Sequence, residues 1–198
     1  QIVGSIVENC YATGVTINYK EIENITQTGF GGLFGRSDNS EIYNSYSNVK
    51  VNGEWGVGGL IGYIMNGSIV ENCYSTGEVN GRFNVGGLIG FVDQLGVNEQ
   101  QAKIYNSYSN ATVNGRFSGA GGLIGSMLSD SIVENCYADG DVKGDSEVGG
   151  FAGKNEGSIE NCYSTGKVLS TTSDNIGGFI GNNSNDGTVK NSYYNSET

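Results

Sequence analysis

The chain has no histidine and no proline, and only 10 of its 198 residues are Lys or Arg. Without His, the commonest acid–base catalyst near neutral pH and the commonest zinc ligand are both missing. The few cations face 21 Asp and Glu, for a net charge of −11. A phosphate backbone or an anionic lipid surface is repelled by such a chain, so neither nucleic acid nor membrane is an expected partner. No apolar run approaches the roughly 20 residues of a membrane-spanning helix. The opening, QIVGSIVENC, has neither the charged nor the apolar region of a signal peptide. It begins inside a repeat, and NSYYNSET closes inside another. The expectation is one repeat domain, residues 1–198, cut from a longer protein with flanking domains.

Glycine, in contrast, is abundant, at 34 residues. It sits in a fixed pattern with Val, Ile and Tyr, which a disordered Gly-rich segment lacks. Self-similarity dominates the chain. An Asn, then Cys or Ser, then Tyr recurs at Asn9, Asn44, Asn72, Asn106, Asn135, Asn161 and Asn191. Val or Ile stands two residues before each Asn, and in five repeats Val stands seven after, from Val51 to Val168. A second block follows: FGGLFG at 30–35, VGGLIG at 57–62 and 85–90, AGGLIG at 120–125, VGGFAG at 148–153 and IGGFIG at 176–181.

Each repeat thus holds three short segments of β character separated by Gly, Asn, Asp or Ser, with period-2 alternation near Val51 and Val79. No segment has a helical period. Repeats of this size are best satisfied by an all-β coil, a parallel β-solenoid (β-helix) of about six to seven turns with three short strands per turn. Length variation belongs to outer loops, the longest at Ile17–Gly29 and Phe91–Lys103. The recurrent Asn is expected at a corner in the αL conformation, bonded to its copies in an amide ladder. Asn-Gly at 52–53, 80–81 and 114–115 marks a second corner.

These blocks, with ENCYSTGEV at 71–79 and ENCYSTGKV at 160–168, resemble the GLUG motif. The resemblance spans nearly the whole chain, although the fifth copy reads FAG and the last lacks its Gly-Gly block. It implies a non-catalytic, extracellular, β-rich array of a bacterial surface or secreted protein, of the kind found in adhesin-like proteins and in the non-catalytic region of immunoglobulin A peptidases.

Four residue sets carry candidate chemistry. Cys10, Cys73, Cys136 and Cys162 share one position with Ser45, Ser107 and Ser192. That interchange points to a buried column of small side chains, unbridged and inert. The seven Tyr after the Asn-Cys/Ser pairs form another column. An unbroken strand places it inside; a bend at Asn places it outside. Asp139, Asp141 and Asp145 are the candidate Ca²⁺ ligands. No other metal or cofactor is expected.

The fourth set breaks the repeat. Trp55, Phe83 and Phe117 follow the Asn-Gly pair on successive turns, with Arg82 and Arg116 before two of them, whereas later repeats carry Ser146 and Thr172. Large aromatics aligned along a rod suit the apolar faces of sugars, and Arg adds donors. The leading expectation is an adhesin segment or rigid spacer. The alternative is a glycan-binding module on this edge, with a host or extracellular glycan or protein as partner. A β-helix glycan lyase or hydrolase ranks third, because the acids form no matching pair flanking a cleft.

Overall fold

The structure is a computed structural model describing residues 1–19, 27–93, 100–128, 130–172, 174–184 and 186–196. The expected loops at Ile17–Gly29 and Phe91–Lys103 lie in part outside these residues. Three parallel sheets run the length of a β-solenoid, and every paired strand in them joins one turn to the next. A short face is built from seven three-residue strands, such as Ile69–Glu71 and Lys103–Tyr105. A glycine-led face also has seven strands, including Ile61–Met65 and Ile89–Asp93. The third, the long face, contains 14 strand segments.

The long face departs from the expectation of three short strands. In the third turn it runs unbroken from Tyr74 to Gly86, 13 residues. None of the Asn-Gly pairs has a positive φ, so they are not corners. Asn52, Asn80 and Asn114 lie within strands and pair residue for residue. The amide ladder forms here: Asn114 Nδ2 donates to Asn80 Oδ1 at 2.9 Å, Asn80 to Asn52 at 2.8 Å, and Asn52 to Asn18 at 2.7 Å. The strands instead kink, without ending, beyond the aromatic positions, at Gly29, Gly56, Asn84, Gly119 and Glu147, and Asn175 makes the same kink just before its strand, all with φ between 51° and 78°.

The expected Asn corners are present, with all seven at φ between 46° and 56°. Asn tolerates this region better than other side chains do. Their backbones hold the coil together, as when Asn72 N–H donates to Tyr105 O at 3.3 Å and Asn106 N–H to Glu134 O at 3.1 Å. The next residue closes the turn by donating from its side chain to the carbonyl two residues back. Cys73 Sγ reaches Glu71 O at 3.2 Å, and Ser107 Oγ reaches Tyr105 O at 2.6 Å. A thiol and a hydroxyl do the same work there, which is why Cys and Ser interchange.

The interior divides into two cores. One holds Ile42, Leu60, Ile61, Val70, Leu88, Ile104 and their counterparts; the other holds Val51, Val57, Val79, Val85, Val113 and Val142. Between them the chain pinches. Ser75 Oγ donates across the interior to Gly87 O at 2.6 Å, and Ser164 to Gly178 O at 2.9 Å. Each fully buried Val or Ile contributes on the order of 1.5–3 kcal/mol, so the same two columns stabilise every turn.

Candidate functional site

The long face begins with the Tyr column, and the structure turns it outward. The αL Asn two residues earlier reverses the alternation, so Ser75 points in and Tyr74 points out. Tyr11, Tyr46, Tyr74, Tyr108, Tyr137 and Tyr163 stack face to face, with centroids 4.6–5.3 Å apart and planes within 9°. Partial burial, reinforced by the neighbouring phenols, pushes the Tyr74 and Tyr137 hydroxyls above the ordinary tyrosine value.

The second ladder stands toward the far end of the same face. Trp55 pairs with Phe83 in register, and their rings stack at 4.4 Å and 24°. Phe117 stacks on Phe83 at 5.0 Å and 23°. The expected alignment of Trp55, Phe83 and Phe117 is thus present. Their geometry, however, is not a platform of upturned rings. Stacked along the rod, Trp55, Phe83 and Phe117 turn their flat faces toward one another, and mainly ring edges look outward.

Arg82 is engaged on both sides. Its Nη1 is 2.8 Å from Glu54 Oε1, one turn below, and its guanidinium carbon lies 5.1 Å from the Phe117 centroid. Glu54 precedes Trp55 in the sequence as Arg82 precedes Phe83, and the 28 residues between them are one repeat length. Arg116 is exposed and, among the described residues, has no ion-pair partner. Sequence reasoning misses Tyr63. Its ring lies where a Cβ on Gly56 would collide with it, so it seals the kink beside Trp55.

Phe117 occupies an irregularity that the sequence does not signal. Gly81 pairs with Gly115 but Phe83 pairs with Ser118, so the fourth turn has one extra residue in this interval. Ser118 pairs in turn with Ser146. In the sixth repeat the matching residue is Asp174, not the expected Thr172, because Val148 pairs with Ile176.

The three candidate Ca²⁺ ligands do not converge. Asp139 Oδ1 accepts from Thr165 Oγ1 at 2.6 Å and Asp141 Oδ1 from the Lys167 N–H at 2.9 Å, while Asp145 Oδ1 accepts from Thr171. Each carboxylate therefore bonds to its own partner on the next turn, an arrangement that strings them along the strands. Among the described residues no three His, Cys, Asp or Glu side chains stand close enough to hold a metal ion.

All four cysteines are free, and three are buried. Burial pushes the Cys73 thiol up to about 11. It also raises Cys136, whose thiol donates to Glu134 O at 3.2 Å. Two grooves of about 530 Å³ run along the short face, away from the aromatic ladder. Glu134 and Glu156 line one of them, and Glu156 is tied to Lys154 at 2.6 Å.

A family model described as the GLUG motif matches residues 53–80, 118–143 and 144–169. Those three stretches carry the GLUG motif, and Phe83 and Phe117 fall between the first two of them. A solved structure of a candidate immunoglobulin A1 protease from Bacteroides ovatus shares 25% identity with this chain. Its TM-score is 0.67 over 96% of this chain and 57% of that one. This chain therefore spans little more than half of that protein. No curated protein matches it.

Proposed function

We propose that this array of GLUG-motif repeats is a non-catalytic extracellular module of a bacterial surface or secreted protein, acting as an adhesin segment or rigid spacer. The observation that carries this reading is the use of the outward columns. The Tyr, Asn and Trp–Phe–Phe columns each bond or stack along the rod from turn to turn. Their side chains tie turns together instead of converging on a cleft, where a reaction would need them. The protease description belongs to the longer Bacteroides protein. The test is incubation of the 198-residue chain with immunoglobulin A1. The antibody is expected to stay intact; cleavage fragments would overturn the reading.

A second reading is a glycan-binding edge at Trp55, Phe83 and Phe117. It is favoured by the cost of leaving Phe117 39% exposed, which the repeat itself does not require. Replacing all three rings with Ser is expected to leave the fold intact and abolish any signal on a glycan array. A large drop in melting temperature would make the rings structural instead.

A further inference from the structure

The aromatic ladder is finite, and its upper end is open. Phe83 covers one face of Phe117. Arg82 reaches Phe117 from that same side, because its other partner, Glu54, lies one turn further down. The opposite face of Phe117 looks toward the fifth turn, which offers no ring. There Ser146, the strand partner of Ser118, donates from its Oγ to Phe117 O at 3.2 Å. The extra residue of the fourth turn is what sets Phe117 apart from the regular ladder. Such bulges re-aim a side chain locally.

Two cations without an ion-pair partner among the described residues stand near this ring. Lys50, Arg82 and Lys154 are each paired to a glutamate. Arg116 and Lys143 are both exposed, and among the described residues neither has an ion-pair partner. Lys143 pairs across the strands with Asn114, two residues before Arg116. Strand geometry then sets the two Cα atoms about 8 Å apart, beside Phe117. The nearby carboxylates keep their charge and are held by neutral donors: Asp145 by Thr171, and Glu147 by Ser118 and Asn182.

We propose that the open face of Phe117 is a subsite for one acidic sugar, a hexuronic acid, whose apolar face extends the stack while Arg116 and Lys143 hold its carboxylate. This rests on the glycan-binding reading and narrows it from a three-ring platform to one ring face with two cations. A guanidinium meets a carboxylate through two parallel hydrogen bonds, and Lys143 adds a point charge. A neutral sugar gains only the stacking.

The experiment is titration of the 198-residue chain by NMR with a glucuronate-containing hyaluronan tetrasaccharide and with neutral chitotetraose. The acidic ligand is expected to bind more tightly, and less tightly as salt rises. Phe117→Ser, and the double change Arg116→Gln with Lys143→Gln, should each weaken it at least tenfold, with a change of the exposed cation Lys190, Lys190→Gln, near the parent. If Phe117→Ser melts early, Phe117→Leu serves instead and should show the same loss. Undiminished acidic-ligand binding in a folded Phe117 variant, or equal binding of chitotetraose, overturns the subsite. Chitotetraose binding lost only in the triple Ser variant leaves the edge reading standing while the subsite fails. Binding of neither ligand sinks both.

Discussion

A Cβ added to Gly87 would lie 2.1 Å from Ser109 Oγ and 2.1 Å from Gly122 O. The glycine of one turn and the serine of the next thus meet at the pinch between the two cores. Gly59 meets Ser75, and Gly150 meets Ser164, in the same way. The close approach, with no unusual φ at Gly87, is what demands glycine there.

Gly87→Ala should therefore destabilise the chain, since neither a backbone carbonyl nor a core-facing strand can step aside cheaply. Overpacking of this kind costs about 1–3 kcal/mol, occasionally more. Urea denaturation is the check. A variant within a few tenths of the parent would mean that the pinch is looser than it looks.

Asn72 tests the corners. Its φ of 54° is strained for most side chains and easy for Gly. Asn72→Ala is expected to cost about 1–2 kcal/mol, and Asn72→Gly much less. Equal losses from both would show that the Asn side chain, not its backbone, holds the corner.

These features differ in how far the sequence reveals them. Columns repeated in every turn are legible, because stacking forces Val, Gly and Tyr to recur at one position. The direction of the Tyr column is not, since it hangs on whether one Asn breaks the alternation. The Asn-Gly pairs mislead for a related reason. Asn80 is selected for its amide ladder, while the nearby kink is marked by dissimilar residues, among them Gly56, Asn84 and Glu147. The extra residue of the fourth turn is hidden because Phe117 still reaches Phe83 and so imitates a regular position. Spacing alone made Asp139, Asp141 and Asp145 look like one cluster; the register hands each to a different partner on the next turn.

The thiols supply a pH prediction. Burial raises Cys73 to about 11, above the value of an unfolded thiol. The folded chain then keeps a proton that the unfolded chain releases, so this contribution is fully present below about pH 9 and is lost as pH climbs toward 11. Stability should fall across that window, and Cys73→Ser should flatten the fall. A thiol reagent at pH 8 should spare Cys73, Cys136 and Cys162 in the native chain and find four thiols once urea is added. Fewer than four without reductant would reveal a bridge.

The central claim is that interchangeable turns stack in register as a continuous rod. Val57 pairs with Val85 and Gly58 with Gly86, so removing residues 57–84 joins Gly56 directly to Val85 without disturbing any column. Small-angle X-ray scattering on the parent and the shortened chain measures the outcome. The account predicts a folded molecule with the same cross-section, shorter by one strand spacing of about 4.8 Å. A collapsed or unfolded product, or a changed cross-section, would contradict it.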